Sequence, residues 1–128
     1  MRTIKFRGKR LDNGEWLYGD LMHDNAGGCY VYPIESENLF KENKVNPNTV
    51  GQFTGLLDKN EKEIYENDFV FLDNFRLVKV LYNRKRCSFE FRLSFNDGRF
   101  IDNLKDFNTD MYEIIGNVHD NPELLNSL

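Results

Sequence analysis

Residues 45–70, VNPNTVGQFTGLLDKNEKEIYENDFV, decide the fold of this chain. Turn-forming residues separate the short apolar runs of this stretch: Pro47, Gly51, Gly55, Asn60 and Asn67. This punctuation predicts a tightly turned β structure, in which strands of a few residues are joined by short turns. The stretch contains no His, Cys or Ser, so it lacks the usual nucleophiles and soft metal ligands. It therefore indicates a fold and carries no catalytic pattern.

Further short strands are expected on both sides of this stretch. The apolar and basic residues of IKFR at 4–7 alternate, which is typical of a half-buried strand. The sequence DNG at 12–14 is a strong turn signal and ends the first hairpin arm. Residues 35–48 are polar and irregular and are expected to form a loop. The other predicted strands cover residues 15–21, 29–32, 69–72, 76–82, 89–93, 99–101 and 112–117.

The composition favours strands over long helices. Aromatic residues make up 14% of the 128 residues, with eleven Phe and six Tyr, and these residue types favour strands. Short strands that recur roughly every 8–12 residues indicate a small barrel or sandwich. We therefore predict one mostly β domain over residues 1–128, with N-terminal β-hairpins at about 1–48 and a small SH3-like barrel or roll at about 49–128. Asn121 and Pro122 predict the start of a short C-terminal helix.

The sequence predicts a cytoplasmic protein that does not enter membranes. No run of 18 apolar residues is present. The first ten residues, MRTIKFRGKR, lack the apolar segment of a secretory signal. Cys29 and Cys87 are therefore expected to remain free thiols in a reducing compartment.

Three blocks of the sequence resemble the YopX family, whose members are small proteins carried by bacteriophages and prophages. The blocks are MRTIKFRG at 1–8 with WLYG at 16–19, VGQFTGL at 50–56 with Asp58 and IYEND at 64–68, and EIIGNVHDNPELL at 113–125. They occur in family order and bracket nearly the whole chain. The resemblance implies an SH3-like fold with added N-terminal hairpins and a location in the bacterial host cytoplasm. Because the family has no established activity, it implies no catalytic residue and no cofactor.

Within these blocks, ten residues are expected to build the fold rather than to carry chemistry. They are Gly51, Gln52, Phe53, Gly55, Tyr65, Asp68, Gly116, Asn117, Asp120 and Pro122.

The two histidines are each followed by an aspartate, at His23-Asp24 and His119-Asp120. Brought together, two imidazoles and two carboxylates could bind a divalent metal. Adjacent residues of a strand point to opposite faces, however, so neither pair easily chelates alone. Asp120 also lies two residues before a proline, where turn and cap residues are common. We therefore expect turn or cap roles here and no metal site.

The sequence contains no constellation typical of an enzyme. Cys29 has no basic neighbour in the sequence, so nothing there favours a thiolate. Cys87 follows the basic residues 84–86, but a cysteine between a solvated turn and a strand is usually ordinary. The sequence GQFTG at 51–55 is not followed by Lys-Ser or Lys-Thr, and it opens no helix, so it is not a phosphate-binding loop. We expect no enzymatic activity.

Single-stranded nucleic acid is an alternative ligand, because small β-barrels often bind it through aromatic and basic faces. An N-terminal basic cluster consists of Arg2, Lys5, Arg7, Lys9 and Arg10. A second cluster, with Phe75, Tyr82 and Phe89 interleaved, consists of Arg76, Lys79, Arg84, Lys85, Arg86 and Arg92. The net charge of −4 and the pI near 5.2 are opposite to the usual charge of a nucleic-acid-binding protein. Solvated strand faces explain the same basic residues without a ligand.

The preferred interpretation is a non-enzymatic accessory or binding module that acts through a phage or host protein, or through self-association. Trp16, Tyr18, Tyr30 and Tyr32 fall on adjacent hairpin strands and could form an aromatic interaction surface. The competing interpretation is that these four rings close the core. Residues 4–7 form a strand whose edge has little protection, and an unpaired edge has to be covered or paired with another chain. A homo-oligomer, most simply a dimer, is therefore expected.

Overall fold

The fold is built almost entirely from short strands, as the sequence predicts. The computed structural model describes residues 2–33, 43–72, 76–93, 100–103 and 111–127. Within them, no helix is long and apolar enough to cross a membrane. The strands are β1 (Phe6–Lys9), β2 (Trp16–His23), β3 (Cys29–Tyr32), β4 (Lys44–Val45), β5 (Gly51–Leu57), β6 (Glu63–Tyr65), β7 (Asp68–Leu72), β8 (Arg76–Asn83), β9 (Ser88–Leu93), β10 (Phe100–Asn103) and β11 (Tyr112–Asn117).

The predicted C-terminal helix is instead a 3-10 turn over Pro122–Ser127. The backbone carbonyl of Asn121 accepts a hydrogen bond from the N–H of Leu124 at 3.0 Å. A segment of this length gains too few hydrogen bonds to offset the nucleation cost of an α-helix. Short pieces of this kind commonly adopt 3-10 geometry. The predicted start of the helix is therefore confirmed, but the predicted type of helix is wrong.

Part of the predicted loop at 35–48 is regular structure. Strand β4 lies within it, and a 3-10 turn follows at Pro47–Thr49. Asn46 caps that turn, because its side-chain oxygen accepts a hydrogen bond from the backbone N–H two residues further on at 3.0 Å. Outside the described residues lie 35–42 of the predicted loop, Phe75, and residue 99 of the predicted strand at 99–101.

The chain divides into two compact units, Met1–Phe53 and Thr54–Leu128. In the first unit, antiparallel neighbours follow the order β4-β3-β2-β1-β5. Strand β4 also returns to the end of β1, where Arg10 and Val45 form a β-bridge. The N–H of Leu11 donates to the carbonyl of Lys44 at 3.0 Å, beside that bridge. Strands β1 to β4 therefore close on themselves.

This arrangement corrects two expectations. The SH3-like barrel at 49–128 is not confirmed, because the second unit holds a sheet in the order β10-β9-β8-β7-β11 and β10 and β11 are its opposite ends. The strand at residues 4–7 was expected to have an unprotected edge. In the structure β1 pairs with β2 on one side and with β5 on the other, so both of its edges are covered.

Each unit has its own apolar core. Core residues of the first unit are Cys29, Val31 and Val45, with Leu17, Leu21 and Val50 packed against them. Core residues of the second unit are Ile64, Val70, Leu72, Val78, Val80, Phe91 and Tyr112, with Leu56, Phe89 and Ile114 packed against them. Both cysteines are free thiols, as expected, with Cys29 buried and Cys87 exposed.

Turn glycines between short apolar runs often have a positive φ, so the sequence predicts one at Gly51 and at Gly55. Gly55 has a φ of +92°, as predicted. Gly51 does not have a positive φ, so the same prediction is wrong for that residue. A Cβ added at Gly55 would meet no atom within 4 Å. The cost of a side chain there is therefore purely a backbone cost, about 1 kcal/mol or more for a β-branched residue.

We expect Gly55→Val to lower the free energy of unfolding by at least about 1 kcal/mol, measured by urea denaturation. Gly55→Asn is the matched control, because asparagine tolerates the left-handed region and should lose less. Equal stability of the valine variant and the native chain would contradict the argument.

Candidate interaction face

The four predicted aromatic residues lie on one face of the first unit. In β2, Leu17 and Leu21 pack against the core, so the alternate residues Trp16 and Tyr18 point to the other face. Cross-strand pairs place their neighbours on that same face: Lys9 opposite Trp16, Arg7 opposite Tyr18, Met22 opposite Tyr30 and Asp20 opposite Tyr32. We call this surface the aromatic face. Its rings lie on the side opposite the core cluster, which favours the surface interpretation over core closure.

Trp16 is held by two cations on neighbouring β1. The guanidinium carbon of Arg7 lies 4.6 Å from the centre of a Trp16 ring, and the Lys9 Nζ lies 5.5 Å from it. Arg7 is buried, so its contact with the indole is largely shielded from water. Cation–π contacts contribute about 0.5–2 kcal/mol, with the larger values for desolvated pairs. The indole therefore has a fixed orientation at this end of the aromatic face.

Tyr30 and Tyr32 form an ordered pair at the other end. Their ring centres are 6.3 Å apart and the ring planes differ by 8°. The Tyr30 hydroxyl donates to Oδ2 of Asp24 at 2.9 Å, and the Lys44 Nζ lies 6.0 Å from the Tyr30 ring centre. Because these rings are already ordered, less side-chain entropy would be lost when a partner binds.

The carboxylate of Asp24 organises the turn that supports Tyr30. Its Oδ1 accepts hydrogen bonds from the N–H groups of Gly28 at 2.6 Å and Ala26 at 2.9 Å. The Gly28 N–H, and after it the Tyr30 hydroxyl, hold the pKa of Asp24 below its usual value. The same hydrogen bond to Asp24 raises the pKa of the Tyr30 phenol. Asp24 thus has a structural role in this turn.

Two apolar side chains in the middle of the aromatic face are open to solvent. Tyr18 is 41% exposed and Met22 is 54% exposed, while Trp16, Tyr30 and Tyr32 are half-buried. Tyrosine, tryptophan and methionine are the residue types enriched in protein interfaces. The arrangement can therefore bury apolar area against another protein.

The basic residues of the second cluster do not act as one free positive surface. Glu90 is fully buried, and its carboxylate lies 3.2 Å from Arg92 Nη2 and 4.0 Å from Arg86 Nε. Lys79 is partly buried, and that burial lowers the pKa of its ammonium group. Arg84 and Lys85 lie in the exposed β8–β9 turn, and Arg76 opens β8. Sequence reasoning missed the burial of Glu90, because polar and apolar residues alternate along β9 and this pattern predicts a solvated face for Glu90.

The candidate metal ligands lie in a strand end and in turns. His23 ends β2, and His119 and Asp120 form part of the turn after β11. The N–H groups of His119 and Asp120 both donate to Oδ1 of Asn117 at 2.9 Å. In the part of the chain that the structure describes, no three His, Cys, Asp or Glu side chains are arranged to hold a metal ion.

The family-type residues of the central and C-terminal blocks secure turns. Asp68 Oδ2 accepts a hydrogen bond from the Tyr65 N–H at 2.7 Å. Asn121 Oδ1 accepts one from the Asn117 N–H at 3.2 Å, and Gly116 leaves room for this side chain, since a Cβ there would lie 2.7 Å from Asn121 Cγ. Gly51 pairs with Arg7, and the Phe53 N–H donates to the Lys5 carbonyl at 2.8 Å, so both join β5 to β1.

Comparison with known proteins gives a family and similar solved structures. A protein-family model described as YopX protein matches residues 5–126. The chain is also similar to protein EF1440 from Enterococcus faecalis, known from a crystal structure. The two share 26% sequence identity with a TM-score of 0.60, and the match covers 98% of this chain and 99% of that one. No curated protein sequence matches the chain significantly.

Proposed function

This chain belongs to the YopX protein family, and from that premise we propose that it is a phage- or prophage-encoded binding module without enzymatic activity. It acts through protein contacts on the aromatic face, in the first instance with a second copy of itself. We place it in the cytoplasm of a bacterial host, and the bacterial source of the similar solved structure supports the bacterial part of this proposal.

The single observation that carries this proposal is the aromatic face itself. The exposed Tyr18 and Met22 lie beside aromatic rings that are held by cations and by a carboxylate, on the side of the sheet away from the core. Large apolar side chains that remain exposed next to ordered neighbours are typical of interaction sites. The family-type residues Asp68 and Asn117 use their polar atoms on backbone N–H groups, which favours a binding role over a catalytic one.

We expect a symmetric homo-oligomer, most simply a dimer that buries about 1,200 Å² or more in total. Sedimentation equilibrium at micromolar concentrations measures it directly. The double variant Tyr18→Ser/Met22→Ser should shift the equilibrium to the 15.2 kDa monomer. Leu11→Ser is the matched control, because Leu11 is exposed but is not part of the aromatic face.

A single species of 15.2 kDa at every concentration would exclude self-association. The same pair of variants then tests a different protein partner, by affinity capture from phage-infected or prophage-bearing host cells. A partner retained by the Leu11→Ser bait and lost by the Tyr18→Ser/Met22→Ser bait supports the proposal. A partner retained equally by both baits would exclude the aromatic face.

A second candidate function is the binding of single-stranded nucleic acid through the second basic cluster. The exposed turn that carries Arg84, Lys85 and Arg86 favours it. The acidic net charge and the engagement of Arg86 and Arg92 with Glu90 make it the weaker candidate.

A mobility-shift assay at about 50 and 200 mM salt tests this candidate, because each phosphate contact adds about 0.7 to the salt slope for single strands. We expect no complex tighter than about 10 μM at the lower salt concentration, a weak affinity even for non-specific binding. A tight complex that weakens steeply with salt and is lost in Arg84→Ala/Arg86→Ala would make nucleic acid the preferred function.

A further inference from the structure

A groove of about 420 Å³ lies beside the β8–β9 turn of the second unit. The residues along it include three cations and an amide: Leu81, Tyr82, Asn83, Arg84, Lys85 and Arg92. The groove is open to solvent, so it can hold a ligand against the surface without enclosing it. The concentration of positive charge is opposite in sign to the net charge of −4 for the whole chain.

The backbone that carries two of these cations is fixed in place. Asn83 Oδ1 accepts hydrogen bonds from the N–H of Lys85 at 2.9 Å and from the N–H of Arg86 at 3.2 Å. The turn closes at Cys87 with a φ of +53°, and its thiol lies 3.6 Å from the Arg84 carbonyl oxygen. A turn with defined geometry presents Arg84 and Lys85 from constant positions, so a ligand would not have to order the backbone.

The third cation, Arg92, is oriented by the buried carboxylate of Glu90. Glu90 accepts both hydrogen bonds from Asn83 Nδ2, each at 3.1 Å, and it also lies 3.2 Å from Arg92 Nη2. Glu90 thus joins the residue that shapes the turn to the arginine that lines the groove. Its single negative charge leaves the surroundings of the groove positive, because neither Arg84 nor Lys85 forms an ion pair with an acidic side chain of the described residues.

We propose that this groove binds the phosphate group of a small organic phosphate monoester of the nucleotide type. Arginine and lysine bind phosphate oxygens through charge-assisted hydrogen bonds, and arginine adds a two-pronged geometry. The groove is larger than a phosphate ion, and Leu81 provides an apolar surface for an organic body on the same side of β8 as Asn83. The phosphate contacts Arg84, Lys85 and Arg92, and the body lies against Leu81.

The test is an NMR titration of the full chain with adenosine monophosphate, inorganic phosphate and adenosine at about 50 mM salt, where surface charges are incompletely screened. We expect saturable amide shifts at residues 81–86 and 92 with the monophosphate. Adenosine and inorganic phosphate should each bind at least roughly tenfold more weakly than the monophosphate. This is the factor expected when one set of ligand contacts is lost.

The variant Arg84→Ala/Lys85→Ala should weaken binding of the monophosphate by roughly tenfold or more, since both side chains are exposed and their removal leaves the turn hydrogen bonds in place. The control Arg2→Ala/Lys62→Ala removes the same charge from exposed positions outside the groove and should bind like the native chain.

Three results would overturn the proposal. The first is the absence of saturable shifts at the groove. The second is equal binding of inorganic phosphate and the monophosphate, which would leave no role for the organic body. The third is binding of a single-stranded oligonucleotide roughly a hundredfold tighter than the monophosphate, which would assign the groove to nucleic acid.

Discussion

Asp58→Ala is expected to lower the free energy of unfolding by about 3 kcal/mol or more, because it removes three hydrogen bonds to a buried carboxylate and each hydrogen bond to a charged group contributes about 1.5–3 kcal/mol. Asp58 Oδ1 accepts hydrogen bonds from the N–H groups of Asn60 at 2.8 Å and Lys62 at 2.9 Å. Its Oδ2 accepts a third from the Ile114 N–H at 3.0 Å. One buried carboxylate therefore connects the turn between β5 and β6 to β11.

Neighbouring backbone hydrogen bonds depend on the same turn. The Asp58 N–H donates to the Lys62 carbonyl at 2.8 Å, and the Lys59 N–H donates to the Tyr112 carbonyl at 2.9 Å. Loss of the carboxylate removes the acceptor around which these groups are placed. The effect should therefore extend from the turn to the pairing of β11.

Urea denaturation followed by far-ultraviolet circular dichroism measures the loss. Asp58→Asn keeps one acceptor oxygen and should fall between the native chain and the alanine variant. Asp12→Ala is the control, because Asp12 is exposed and its main side-chain partner is Arg10, an ion pair worth at most about 1 kcal/mol. A change of less than about 0.5 kcal/mol for Asp58→Ala would contradict the assigned role, since surface substitutions without structural roles stay within that range.

Gly19→Ala is expected to cost several kcal/mol, on the order of 3 or more, or to prevent folding of the first unit. Gly19 lies in β2 with a φ of +158°. A Cβ there would overlap the carbonyl oxygen of Tyr32 and would lie 2.7 Å from the Tyr32 carbonyl carbon and 2.9 Å from the Pro33 Cα. These are backbone atoms that cannot rotate away, so β2 and β3 would have to separate.

Gly14→Ala is the matched control for this substitution. Gly14 has a φ of +75°, and a Cβ there would meet no atom within 4 Å, so its cost is limited to about 1 kcal/mol of backbone strain. The two variants are compared by thermal unfolding and by the yield of folded protein. Similar melting temperatures for both would show that the close approach of β2 and β3 relaxes easily.

The sequence by itself determined most of the strands, many of the turns and the family. The central stretch shows why: Gly55 and Asn67 both have positive φ, which few other residues adopt readily, and short apolar runs lie between such turns. Alternation along β2 likewise determined that Trp16 and Tyr18 share a face of that strand, and alternation along β3 determined the same for Tyr30 and Tyr32. It did not determine whether the two pairs lie on the same face of the sheet. These are local properties, because they depend on backbone preferences and on the period of two along a strand.

Tertiary structure alone decided how these pieces combine. The bridge between Arg10 and Val45 closes the first four strands, and it joins residues far apart in the sequence. The same pairing decides which face of β2 and β3 is core and which is the aromatic face. The burial of Glu90 and the space that Gly19 leaves for Tyr32 also arise only when strands meet. A local pattern specifies that a strand has two faces, but the partner strand determines which face is covered, since burial and cross-strand hydrogen bonds are properties of the pair.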